Sequence, residues 1–252
     1  DKFGNPNAIY KEGREARAAV SLARAEIAKV IGARPEEIIF TSGGTESDNL
    51  AIFGISGEVK QNFSRFAENH LGASLPSGSE ASKSGICPHI ITTKFEHPAV
   101  LEPCKFLEKN GFDVTYLNVG KEGVVEPKDV EKALKLETIL VSVIYANNEI
   151  GTVQPIAEIA KVIRNFRKKR SGKLASLKTD IKGNFPEVLF HIDACQAPDY
   201  LELNVNKLGV DLMTINGSKI YGPKGIGVLY AKKGVKLEPI MRGGEQERKI
   251  RP

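Results

Sequence analysis

The segment TILVSVIYA (138–146) sets the tightest limit on the fold. It is apolar at nearly every position, so neither face of a strand built from it can meet water. It is also far shorter than the roughly 20 apolar residues that a membrane span requires. Runs of this kind belong to parallel sheets covered by helices on both faces. Other strand-like runs recur at EIIF (37–40), HIITTK (89–94), FDVTYLNV (112–119), VLFHIDA (188–194), VDLMTI (210–215) and GIGVLYAKK (225–233). Between them lie helical segments: 14–31, with apolar residues at helical spacing, the turn from strand to helix within TSGGTESDNLAIFG, 97–111, 129–135 and 155–169. Strands alternating with helices predict an α/β domain of three layers, α/β/α, on a mostly parallel mixed sheet.

Ligands of such sheets bind beyond the carboxyl ends of the strands, so the residues that follow each strand carry the functional argument. After EIIF come Gly43, Gly44 and Thr45, which open a helix. Free N–H groups and a hydroxyl there offer an anion cradle, or simply a capped turn. His97 opens a helix after HIITTK, as an acid/base, a ring-stacking partner or a cap. Asn147 and Asn148 follow the most apolar strand, with oriented amide donors and acceptors. Asp193 ends VLFHIDA, with Gln196 three residues on; a carboxylate in that place needs a cation, from the protein or from a ligand. VDLMTI runs into Asn216, Gly217, Ser218 and Lys219. A lysine at a strand end in a partly dry pocket loses its proton readily and can form a Schiff base with a carbonyl. Lys219 is followed by Ile220, so the stretch is no Walker loop, and it stands too late in the chain for a dinucleotide fingerprint. One ligand uses all of these groups, pyridoxal 5'-phosphate: its phosphate seeks a helix N-terminus, its ring nitrogen an Asp and its aldehyde a Lys.

Other features narrow the class. The chain has 252 residues, a net charge of +5 and three cysteines, Cys87, Cys104 and Cys195. An odd, sparse set of cysteines without a CxxC pair suits free thiols in a reducing cytoplasm. The spacing of Cys87 and His89 lacks a second ligand pair, so no metal site is expected. Residues 55–88 break the helix–strand rhythm; GASLPSGSEASKSG (72–85) reads as a flexible loop or insertion. The basic run 164–183 reads as a solvated loop after a helix, because a single aromatic, Phe166, gives no base-stacking platform for nucleic acid. Neither end resembles a natural terminus, and the chain is expected to be a piece of a longer protein.

Seven blocks, FGNPNAIYKEGREA, FTSGGTESDNLAI, EHPAVLEP, NNEIGTVQPI, HIDACQA, KIYGPKGIGVLY and GGEQER, stand in the order found in cysteine desulfurases of the NifS/IscS type. The sequence resembles that family, within the class V aminotransferase group of fold-type I pyridoxal phosphate enzymes. The resemblance implies a large cofactor domain over 1–235, with 236–252 beginning the connection to a missing small domain. It implies that Lys219 anchors the cofactor and moves the Cα proton. Asp193 would pair with the ring nitrogen, Gln196 would bond the phenolic oxygen and His97 would stack on the ring and assist proton transfer. Gly44 and Thr45 would hold the phosphate, and Asn148 would face the substrate pocket, while Lys224 has no cofactor role. It further implies L-cysteine as substrate, persulfide sulfur passed to an iron–sulfur scaffold or a tRNA-thiolation enzyme, and a homodimer.

Three departures from the family pattern stand out. Asn216 and Ser218 replace its Ser and His, giving an altered phosphate cup in which both side chains donate. Cys195 stands where Thr is common and reads as a buried, inert cysteine. None of the three cysteines matches the persulfide-forming position, so the piece alone is expected to be inactive. The rival readings are a selenocysteine lyase or another enzyme of the same group and, more distantly, a non-catalytic binding protein.

Overall fold

The computed structural model describes residues 3–71, 87–176 and 186–252, with side chains left out at 60–71 and 173–176. Seven strands form one sheet: β1 (Ile38–Thr41), β2 (His89–Thr93), β3 (Asp113–Leu117), β4 (Thr138–Ile144), β5 (Leu189–Asp193), β6 (Leu212–Asn216) and β7 (Gly227–Ala231). Their order is β1-β7-β6-β5-β4-β2-β3. All neighbouring pairs from β3 to β6 are parallel, whereas β7 is antiparallel to both β1 and β6. Every residue of β4 is buried, as its composition requires.

The helices are α1 (Lys11–Ile31), α2 (Gly44–Leu71), α3 (Pro98–Lys109), α4 (Pro127–Ala133), α5 (Ile156–Ser176) and α6 (Val205–Leu208). Two cores sandwich the sheet. Leu50, Ile52, Ile55 and Val59 of α2 pack with Val100, Cys104 and Leu107 of α3 on one face. Ala28 and Ile31 of α1, Val130 of α4, Ile156, Ile159 and Ile163 of α5, and Val205 and Leu208 of α6 pack on the other. This is the expected three-layer α/β/α arrangement. Gly32 ends α1 at φ 69, where its N–H reaches Ala28 O and Lys29 O; a residue with a Cβ is disfavoured there.

Two expectations from the sequence change. The break assigned to 55–88 begins too early, because α2 runs on to Leu71. Its apolar positions 52, 55 and 59 keep helical spacing and stay on the sheet, while 72–86 lie outside the described residues. Nor is the basic run a solvated loop over its first part, since α5 extends to Ser176. Two of its arginines turn inward: Arg167 Nε donates to Val188 O at 2.8 Å, and Arg170 Nη1 donates to Thr138 O at 3.1 Å. Their long apolar stems let the guanidinium groups reach strand carbonyls. Residues 177–185 are outside the described set.

The segment after β7 folds back over α2 and α1. Glu238 N–H donates to Gly54 O at 2.9 Å, and a Cβ on Gly54 would lie 3.1 Å from Leu237. Arg251 bonds Glu46, and Arg24 of α1 bonds Glu247 while stacking on Phe40.

Candidate active site

The carboxyl ends of β1, β4, β5 and β6 and the start of α3 open on one cavity of about 300 Å³. All nine residues singled out in the sequence line it: Gly44, Thr45, His97, Asn148, Asp193, Gln196, Asn216, Ser218 and Lys219. Lys224 does not. The strand-end rule therefore brings together side chains that are up to 175 positions apart, from Gly44 to Lys219.

One wall is the start of α2. Its first intrahelical bond runs from Ser47 N–H to Gly43 O, so the N–H groups of Gly44, Thr45 and Glu46 precede the ladder. The turn is very tight. A Cβ on Gly227 would lie 2.6 Å from Gly43, and one on Gly44 would lie 2.5 Å from Cys195 Sγ. Across from it, Asn216 caps the short 3-10 turn Gly217–Ile220. Its Oδ1 accepts from Ser218 N–H at 3.3 Å and from the Ser218 hydroxyl at 3.2 Å. The donating role expected of Ser218 is thus spent inside the turn, because a hydroxyl has a single proton. Asn216 Nδ2 sits on the Gly44 side, 3.7 Å from the place of a Cβ there.

His97 is the N-cap of α3; its Nδ1 accepts from Ala99 N–H at 3.1 Å. That bond assigns the ring proton to Nε2. Asn147 Oδ1 accepts from Glu149 and Ile150 N–H, which fixes the turn that presents Asn148. Asp193 is buried, and its Oδ1 accepts from Cys195 N–H at 2.9 Å. Lys219 differs from expectation. It is exposed at the rim, not held in a dry pocket, because the turn that carries it lies on the surface.

Cys195 also departs from its reading as a buried residue, though its thiol stays unreactive. It is only half-buried and lines the cavity against Gly44. Burial, reinforced by Asp193 and Asp48, pushes its thiol well above the ordinary range. Cys104 is pushed up to about 12, mainly by burial, and burial also raises Cys87. Cys87 donates to Gly111 O, while His89 is held between Thr138 and Thr115.

Sequence reasoning missed three buried groups. Asp48, one turn beyond Gly44, lines the cavity floor; the i, i+4 spacing from Gly44 was the available signal. Glu96 precedes His97, and its Oε1 accepts from the Thr93 hydroxyl at 2.7 Å and from Ile144 N–H at 3.0 Å. Burial drives its carboxyl up to about 8, against the pull of those two bonds. His191 is fully buried within β5. A second cavity of about 330 Å³ adjoins the first, sharing His97 and Asn148.

The chain matches the Aminotransferase class-V family over residues 1–76, 79–169 and 173–251. It is 46% identical over 247 residues to a protein named Cysteine desulfurase IscS from Dictyoglomus turgidum (strain DSM 6724 / Z-1310), covering 98% of this chain and 52% of that protein. It is 46% identical over 249 residues to Putative cysteine desulfurase IscS 1 of Bacillus subtilis (strain 168), covering 99% of this chain and 54% of the relative. Among solved structures, one described as "SspA in complex with cysteine" superposes with a TM-score of 0.78 at 36% identity, over 100% of this chain and 60% of that one. A "NIFS-LIKE PROTEIN" superposes with 0.80 at 34% identity, over 100% and 58%. The chain thus spans about half the length of the curated relatives it matches.

Proposed function

The chain belongs to the class-V aminotransferase family, and we propose that it is the cofactor-binding half of a pyridoxal-phosphate-dependent cysteine desulfurase. The observation that carries the proposal is the single cavity in which a helix N-terminus, a buried carboxylate and a lysine meet. The chemistry of the lining fits the cofactor. The free N–H groups at the start of α2 and the Nδ2 of Asn216 suit a phosphate. Asp193, buried with a single backbone N–H on Oδ1, suits a protonated ring nitrogen. A Cβ at position 44 would intrude on this lining, consistent with a ligand that approaches backbone closely.

When bound, the cofactor supplies an electron-withdrawing ring that acidifies the substrate Cα. Lys219 would anchor it and would take the Cα proton, and its exposed place at the edge of the cavity suits a side chain with two tasks. Asp193 would pair with the ring nitrogen and favour its charged form. Gln196 would donate to the phenolic oxygen, and His97, with its proton on Nε2, would stack on the ring. Asn148 presents its amide from the substrate side. Sulfur transfer requires a thiolate, and Cys87, Cys104 and Cys195 are all shifted toward the thiol form. The proposal therefore assigns the persulfide to a cysteine elsewhere in the full-length protein. It includes L-cysteine as substrate, L-alanine as product, a homodimer, a sulfur-accepting protein and a reducing compartment such as the cytoplasm. The names of the relatives support the first of these parts, cysteine as the sulfur source. No helix among the described residues is long and apolar enough to cross a membrane.

Lys219→Ala tests the reading. The chain mixed with pyridoxal phosphate should turn yellow and keep its colour through gel filtration, and the variant should not. Equal retained absorbance in both would sink the assignment of Lys219.

A further inference from the structure

The cavity floor carries one more carboxyl group than the proposed function uses. Asp48 is 1% exposed and lines the cavity together with Asp193. Its Oδ1 has no hydrogen-bond partner, and a buried polar atom in that state calls for an explanation. His191 and Asp193 are two residues apart on β5, so both side chains leave the same face of the sheet. His191 Nδ1 meets Ser142 Oγ at 2.8 Å, its Nε2 meets Thr214 Oγ1 at 3.1 Å, and the same Nε2 lies 3.6 Å from Asp48 Oδ1.

The groups that face Asp48 come from three directions: His191 and Asp193 from β5, Thr214 from β6, and Glu96 from the turn before α3. None is a cation. Burial drives the His191 imidazole down to about 3, so it stays neutral. Lys219, the cation that lines the cavity, sits at the exposed rim. Carboxyl groups that share a dry floor cannot all ionise. Asp48 is held well above the usual carboxylate range, by burial first and by the Asp193 charge second, and burial raises its neighbour Glu96 as well.

We propose that Asp48 stores a proton behind Asp193 and gives it to the nitrogen of a pyridine-type ring as that ring docks. The proposal rests on the cofactor reading above and deepens it. In this step the O–H bond of Asp48 breaks and its electron pair stays on the carboxylate. An N–H bond forms on the lone pair of the ring nitrogen. The net charge of the site is unchanged, because the proton passes from one group to another within it. The proton thus arrives without being drawn from solvent, and the hydroxyl of Thr214, already bonded to Asp48, supports the new carboxylate.

Difference infrared spectroscopy of the 252-residue chain on adding pyridoxine 5'-phosphate tests this. That probe has the ring and the phosphate but no aldehyde for Lys219. The pH is set above the ring nitrogen's own pKa. The expected result is loss of one protonated-carboxyl C=O band per ligand bound, absent in Asp48→Asn and retained in Glu96→Gln. The idea is overturned if the wild-type chain binds without losing that band, if Asp48→Asn loses it equally, or if the loss vanishes in Glu96→Gln. Should Asp48→Asn fail to fold, the wild-type and Glu96→Gln spectra still decide. A wild-type chain that binds neither this probe nor pyridoxal phosphate refutes the cofactor reading itself, whereas binding without carboxyl loss refutes only the proton store.

Discussion

Replacing Glu96 by Gln should make the protein more stable in mild alkali and leave it nearly unchanged in mild acid. Glu96 ties the turn that carries His97 to the end of β4 through Thr93 and Ile144, and both bonds fall on Oε1. Its Oε2 is buried without a partner, as suits a carboxyl that keeps its proton. In the folded chain this carboxyl titrates near 8, against 4.5 for the free side chain. Between those values the unfolded chain gives up the proton and the folded chain does not, so stability falls as pH rises. The contribution is fully present below about 4.5 and lost as pH passes 8. At ~1.4 kcal/mol per pH unit, the gap between 4.5 and about 8 amounts to roughly 5 kcal/mol as an upper bound, since water entry relaxes such sites. Gln accepts the same two bonds on its oxygen and cannot ionise. Urea unfolding of both proteins at pH 5, 7 and 9 measures the difference. The two should agree at pH 5 within about 1 kcal/mol, the net worth of one hydrogen bond, and Glu96→Gln should lead by several kcal/mol at pH 9. Parallel curves would refute the argument, because they would mean that Glu96 ionises alike in both states.

Two further substitutions probe the site and its frame. Gly44→Ala places a Cβ 2.5 Å from Cys195 Sγ; overpacking of about 1–3 kcal/mol should weaken pyridoxal phosphate binding about tenfold or more in an absorbance titration, with partial recovery in the double variant Gly44→Ala, Cys195→Ala. Unchanged affinity in Gly44→Ala would show that the contact relaxes freely. Asp211 is buried and receives Phe190 N–H, Arg167 and Lys232, so Asp211→Asn should cost about 3 kcal/mol in urea unfolding by leaving Arg167 poorly matched. A loss under 1 kcal/mol would mean that solvent satisfies that arginine.

The site was legible because it is made of strand ends. Asn148, Asp193 and Asn216 each follow an apolar run, so the positions that matter are punctuated in the sequence, and Gly44 and His97 mark helix starts. What lies one layer down was not. Asp48 looks like any polar residue in the first turns of a helix, and its burial depends on α2 lying across β5 and β6. His191 is one polar residue inside an apolar run, and nothing local tells that Ser142 and Thr214 will satisfy it. The reach of α2 past residue 55 was obscured by the Gly/Ser/Pro-rich stretch 72–85 that follows it, and by Gly54 and Gly57 within the helix. In the fold they admit Leu237 and Glu238 against the helix. Arg167 and Arg170 were lost in a run of like charges, because composition does not say which basic side chains find carbonyls or carboxylates.

Strand β7 ties the two halves of the site together. It pairs with β1, which leads into the α2 cradle, and with β6, which leads into Lys219. Ile38 waits about 190 residues for its partner Tyr230. On the ribosome, β1 therefore emerges with no neighbour to pair with, and the sheet edge that β6 offers stays open until β7 arrives. Pairings this distant in sequence are slow to form, and unpaired edges attract other chains meanwhile. Assembly of the cavity is thus timed by synthesis: a nascent chain joins the α2 cradle to the Lys219 turn only once its seventh strand is made, and residues 227–231 act as the latch between them.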